Sequence, residues 1–153
     1  MIKIKSHKQK VGQCGPSSLK MVFAYYGLEK TEAELAKLTK CKPTVGTSAK
    51  NLVNVAKRFG FQAFYKDLAE IKDLRNYLRK NIPVIVNWFS TDEDHYSVVV
   101  GINKKDIYLK DPEIGRGRKM DINYFKKLWF GINGSILKSK DDLVIRRIIV
   151  IKK

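Results

Sequence analysis

Cys14 stands in the stretch QKVGQCGPSSLKMVFAYYG, with Gln9 and Gln13 ahead of it and Gly15 and Pro16 behind. A thiol attacks poorly until it ionises, and a positioned imidazole that takes its proton makes it a nucleophile. Two histidines are available, His7 and His95, and His95 opens the run HYSVVVGI far downstream. Another run, DIYLKD, closes on Asp111. A thiol, an imidazole base and a carboxylate that orients the base are the components of acyl transfer through a covalent intermediate. His7 is the weaker candidate base, because the lysine-rich leader MIKIKSHKQK reads as a mobile segment.

The oxyanion that develops in such a reaction needs preorganised donors, and the backbone N–H of Cys14 plus a glutamine amide would supply two. Gln9 is the choice for the second donor. Gln13, directly beside the sulfur, is harder to aim at the same point and stays as the alternative. The carboxylates of Asp92, Glu93 and Asp94, just before His95, would favour an imidazolium and so a thiolate partner.

Helices must present the thiol. Pro16 suits a first helical turn, Leu19, Val22, Phe23 and Tyr26 recur at helical spacing, and Gly27 ends the pattern, so a helix is expected over 14–27 with Cys14 at its amino terminus. Unpaired N–H groups and positive partial charge at such an end favour an anion. Thr31 with Glu34 reads as a capping box for a helix to about Lys40, Ser48 starts a third helix that Gly60 ends, and Asp67 with Glu70 opens a fourth carrying Ile71, Leu74, Tyr77 and Leu78. FQAFY at 61–65 is a short strand between the last two.

Strands must present the base and its orienter. VIVNWF, HYSVVVGI and DIYLKD are branched and aromatic runs separated by polar loops. Asp121 looks like the cap of a helix through Trp129, and SILK and LVIRRIIVI supply further strands. A three-residue loop over Asn103 to Lys105 would set Asp111 opposite Ser97, on the face that carries His95; a loop one residue longer or shorter would turn the two apart. Helices first and strands later imply an α+β domain, a helical half packed on an antiparallel sheet.

With 153 residues and 44% hydrophobic content, one domain over 1–153 is expected. The two cysteines, Cys14 and Cys41, have no metal-type or disulfide spacing, and the longest apolar runs are strand-sized, so a cytoplasmic chain without a transmembrane segment is expected. The net charge of +16 invites nucleic acid or anionic lipid. Against that, the excess is lysine, scattered along every segment, and no helix-turn-helix, zinc-finger or aromatic sheet signature accompanies it. Specific nucleic-acid binding is therefore not expected. A basic binding module with incidental Cys14, His95 and Asp111 is the non-enzymatic alternative.

Taken together, these blocks resemble the bacteriocin-processing, double-glycine leader peptidases, a papain-like cysteine peptidase family. The resemblance rests on QCGPSSLKMVFAYYG, VGTSAKNLVNVAKRFGF, PVIVNW, HYSVVVGI and YLKDP in that order. It implies a papain-like fold, a Cys14, His95, Asp111 triad with Gln9 in the oxyanion hole, and neither metal nor organic cofactor. The implied substrate is a peptide or protein cut after small residues such as a double glycine, and a deamidase or transglutaminase-like acyl transferase is the nearest enzymatic rival. Family members best known for leader removal are fused to a membrane exporter and an ATPase, so an exporter in trans is the implied partner of this chain, itself expected to be a monomer. Trp88 resembles a family position beside the His95 strand. Cys41 receives no role.

Overall fold

Residues 1–91, 93–134 and 136–153 are described by the structure, a computed structural model. Helix α1 covers Cys14–Tyr25, α2 Glu32–Leu38, α3 Ala49–Arg58, α4 Ile71–Arg79 and α5 Ile122–Leu128. Their starts follow local chemistry. The side chains of Thr31 and Ser48 accept from the N–H groups of Glu34 and Asn51, and Asp121 accepts from Asn123 and Tyr124, satisfying donors that a helix leaves unpaired at its first turn. In α4 the reciprocal cap lies three residues beyond the expected one: Glu70 pairs with Asp73, while Asp67 is drawn off by the Arg147 guanidinium at 2.6 and 3.0 Å.

Six strands form one antiparallel sheet in the order β1-β8-β2-β3-β4-β5. They are β1 Gln62–Lys66, β2 Val84–Ser90, β3 Glu93–Ile102, β4 Asp106–Asp111, β5 Arg116–Asp121 and β8 Ile148–Lys152. A separate pair joins β6 Phe130–Ile132 to β7 Leu143–Ile145. The strands β5 and β6 lack the alternating branched pattern that marks the others, and the sequence reading missed both. Of the run expected as SILK, Ser135 lies outside the described residues, and 136–138 form no strand. The run LVIRRIIVI is two strands, broken at Arg146, whose φ is +48°.

The sheet is covered on both faces, where a single helical layer was expected. Period-two alternation divides its side chains: Ile85, Tyr96, Val98 and Val100 join Leu19, Phe23, Leu35 and Leu52 of α1 to α3, while Val84, Val86, Trp88 and Val99 join Leu74 of α4 and Phe125 of α5. This explains why β2 and β3 are nearly continuous in their burial. Each fully buried Leu or Phe contributes about 1.5–3 kcal/mol.

The amino-terminal leader is packed, which corrects the expectation of a mobile segment. Ile2 and Ile4 are buried, Ile2 N–H donates to the Val100 carbonyl at 2.8 Å, and Gln9 N–H to the Pro112 carbonyl at 2.9 Å. The alternation of IKIK has the same physical cause as a strand's: one face covers the core and the lysines face water.

The β3–β4 hairpin also departs from expectation. Its last pair is Ile102 with Ile107, so the connection runs over four residues, Asn103 to Asp106. Asn103 Oδ1 closes it, accepting from the N–H groups of Lys105 and Asp106 at 2.8 and 2.6 Å. By itself that length would turn Asp111 away from His95. The register shifts between Val99 and Gly101, however, and past this bulge Val99 faces Leu109 and Val98 faces Lys110. One extra residue in the loop and one in β3 cancel, and the face expected for Asp111 is restored.

Candidate active site

Cys14 is the first residue of α1, half-buried, and α1 packs on β3. Gln13 is the N-cap but makes no side-chain cap bond. The chain reaches Cys14 through Gly12, whose φ is +74° and where a Cβ would lie 2.3 Å from the Pro43 carbonyl oxygen. Only glycine fits that turn against the 43–46 loop.

His95 is 2% exposed and Asp111 1%. His95 Nε2 donates to Asp111 Oδ1 at 2.6 Å, which leaves Nδ1 outside that bond, and the Cys14 sulfur lies near enough to favour the charged ring. Burial works against a charged ring, yet the hydrogen bonds from Asp111 and Cys14 and the charges of both outweigh it, and the pKa of His95 is raised to about 10. Burial likewise works against the Asp111 carboxylate, and the bonds and charge of His95, the Arg118 guanidinium and the Glu113 N–H overcome it, holding the carboxyl below its ordinary value. Arg118 Nε donates to Oδ2 at 2.7 Å and Glu113 N–H to Oδ1 at 3.0 Å.

In the acidic loop expected to favour the imidazolium, Asp94 also has a structural role. Asp92 lies outside the described residues. Asp94 keeps solvent exposure as a residue, but its Oδ1 turns inward to accept from Ile132 N–H at 3.2 Å, beside Asn87 and Gly131. Desolvation of that carboxyl lifts its pKa to about 6. Asp111 and Cys14 are the groups that most favour a charged His95, and the Asp94 carboxylate and the charged ring also attract each other.

Trp88 lies opposite His95 in the β2–β3 register, and the two rings meet edge to face at 5.6 Å. Its indole N–H donates to Ser97 Oγ at 3.0 Å. His7, the weaker candidate base, pairs with Glu32, which also accepts from Lys10 N–H at 2.7 Å. That pairing ties the leader to α2 and removes His7 from the site. Gln9 is anchored by its backbone beside Asp111, through the Pro112 carbonyl. The side-chain oxygens of Gln9 and Gln13 are both buried without a partner among the described residues. Cys41 Sγ donates to the Gly12 carbonyl at 3.3 Å, and burial first, then the nearby Cys14 and Glu32, push its pKa up to about 11.

Comparison with known proteins bears on this geometry. Residues 3–140 match the peptidase C39 family. The chain belongs to that family. It is a cysteine peptidase, and the resemblance read from the ordered sequence blocks holds. Among relatives of this C39 chain, the transport/processing ATP-binding protein ComA of Streptococcus pneumoniae is 33% identical over 134 residues, 84% of this chain but 18% of that protein. The chain thus spans under a fifth of the ComA relative's length. An uncharacterized protein of Methanothermobacter marburgensis is 34% identical over 130 residues, 84% of each. Among solved structures, the peptidase domain of Streptococcus ComA superposes with a TM-score of 0.77 at 23% identity, covering 99% of this chain and 98% of that one. A double-glycine motif protease from an AMS/PCAT transporter, solved with its leader peptide, gives 0.74 at 22%, covering 99% and 92%. Both likenesses support the α+β C39 peptidase fold.

Arg118 escaped the sequence reading. It sits in RGRKMD, a stretch given no role there, and the available signal was position: an arginine shortly after Asp111-Pro112, as a return strand would place it.

Proposed function

We propose that this C39 peptidase cleaves peptides after a double glycine in a leader, with Cys14 as nucleophile, His95 as acid and base, Asp111 as orienter and Gln9 as side-chain oxyanion donor. The observation that carries the reading is the buried His95 ring bonded to the Asp111 carboxylate, with the Cys14 sulfur near enough to favour its charged form. In this mechanism the Cys14 sulfur forms a bond to the scissile carbonyl carbon while the carbonyl oxygen becomes an oxyanion. That oxygen accepts from the Cys14 N–H, unpaired at the start of α1, and from the Gln9 amide. His95 passes its proton to the departing amine as the C–N bond breaks, leaving a thioester. Water then adds to the thioester carbonyl as His95 takes its proton, and the C–S bond breaks to free the acid and restore the thiol–imidazole pair.

Residues 1–153 serve as one domain in this reading, acting as a monomer in the cytoplasm on a substrate presented by an exporter in trans. Its support is the ComA relative, named as a transport and processing protein. No helix among the described residues is long and apolar enough to cross a membrane.

The test is incubation with a synthetic leader peptide containing a double glycine, read by mass spectrometry. Two fragments split after the glycines are expected from the wild-type chain and none from Cys14→Ala. An intact peptide with the wild-type chain would overturn the substrate assignment, and loss of ammonia without chain cleavage would move it to a deamidase.

A further inference from the structure

We propose that Arg118 is a positioning residue of this site: it fixes the plane of the Asp111 carboxylate, and through it the aim of the His95 ring at the Cys14 sulfur. The proposal rests on the reading of His95 as acid and base.

Asp111 is a buried carboxylate with two oxygens to satisfy. Oδ1 accepts from His95 and from the Glu113 N–H. With nothing on Oδ2, a buried charge would be half-compensated and the group could swivel about its last side-chain bond. Arg118 Nε fills that position at 2.7 Å. A carboxylate held through both oxygens has one plane, and its lone pair then dictates the direction of the His95 Nε2–H. Ring direction decides where Nδ1 points.

Arg118 is itself held. Its guanidinium carbon lies 5.7 Å from the centre of the Trp88 ring, and that ring meets His95 edge to face at 5.6 Å. Trp88, His95, Asp111 and Arg118 therefore close a circuit of contacts, one residue from each of the adjacent strands β2, β3, β4 and β5. Each strand contributes a position and none can turn alone. A lysine at 118 would keep a positive charge near Oδ2 without the planar fork or a flat face for the indole.

The electrostatics have a definite sign. The groups around His95 are the Cys14 sulfur from α1, Asp94 beside it on β3, Asp111 on β4, Glu113 in the following turn and Arg118 on β5. Arg118 is the cation of this set besides the ring itself. Its charge balances the buried Asp111 carboxylate.

The experiment compares the wild-type chain with Arg118→Gln and Arg118→Lys by three readouts: alkylation of Cys14 by iodoacetamide, kcat and KM on the double-glycine peptide, and the downfield proton resonance of the hydrogen-bonded His95 Nε2–H. In Arg118→Gln, alkylation and kcat are expected to fall about tenfold with KM within about twofold of wild type, and the resonance to be lost to exchange at neutral pH. Arg118→Lys should recover part of both rates and of the resonance, because the charge remains. An Arg118→Gln chain with the wild-type alkylation rate and resonance would overturn the proposal. Equal losses in both variants, with the resonance kept and the melting temperature lowered, would also overturn it. Alkylation and the resonance need no substrate, so they decide the role of Arg118 even if the wild-type chain leaves the peptide intact, an outcome that counts against the substrate assignment alone.

Discussion

His95 and Asp111, sixteen residues apart on neighbouring strands, meet at 2.6 Å because the bulge between Val99 and Gly101 offsets the four-residue turn at Asn103. A carboxylate that fixes the base is worth most where the ring must alternate between giving and taking a proton. Asp111→Asn keeps the shape but presents the ring with an amide that can donate as well as accept. The expected result is a loss of about a hundredfold or more in kcat/KM on a double-glycine peptide. Steady-state kinetics beside the wild-type chain check it, and a change under threefold would speak against the assigned role.

Asp94 supplies a prediction about stability and pH. Desolvation raises its pKa in the folded chain to about 6, against an ordinary 3.8, so the folded state favours the protonated form. The associated stability is fully present below the unfolded value and is lost as pH rises through about 6. Asp94→Asn removes this dependence. The residue is partly exposed and screened by solvent, so the expected gain at pH 7 is on the order of 1 kcal/mol, vanishing near pH 3.5. Urea unfolding at the two pH values measures it; equal effects at both would show that the carboxyl is not the cause.

The two thiols should separate chemically. Cys41 is pushed up to about 11 and its sulfur is bound to the Gly12 carbonyl, whereas Cys14 lies near the buried His95 ring, whose charged form it favours. Iodoacetamide at pH 7 is expected to modify Cys14 at least about tenfold faster than Cys41, since the thiolate is the reactive form. Peptide mapping after brief exposure gives the ratio. His95→Ala should slow Cys14 without changing Cys41, and equal slow labelling of both in the wild-type chain would contradict an activated Cys14.

Gly12 bears on both folding and the site. A Cβ there meets the Pro43 carbonyl oxygen at 2.3 Å, and φ is +74°. Gly12→Ala is expected to cost about 2 kcal/mol or more. It should also slow Cys14 alkylation, because Gln13 and Cys14 follow directly from this turn. Thermal unfolding and alkylation rate, measured on one preparation, test the two effects together; an unchanged melting temperature would show that the 43–46 loop yields.

The candidate site residues were legible because each carries a local signature. Cys14 precedes Gly15-Pro16 at a helix start, His95 opens the run HYSVVVGI, and Asp111 closes a strand before a proline. Caps at Thr31, Ser48 and Asp121 were legible for the same reason: a side chain that satisfies a helix's first N–H groups acts within three residues of itself. The leader was misread. IKIK alternates as a strand does, but a segment whose partner is Val100 gives no sign of that partner in its own residues.

What the sequence by itself determined, then, is the helix starts, most of the sheet strands and a candidate set of reactive groups, since capping, periodicity and turn chemistry are short-range interactions. What only the tertiary structure decided is their meeting. The bulge at Val100, the seat of Gln9 on Pro112, the loss of His7 to Glu32 and the arrival of Arg118 from β5 on Asp111 all depend on pairing between segments distant in the chain. Register is the physical reason: a shift of one residue moves a side chain to the other face of a sheet, and that choice is made by the energy of the whole packed core rather than by any stretch of residues alone.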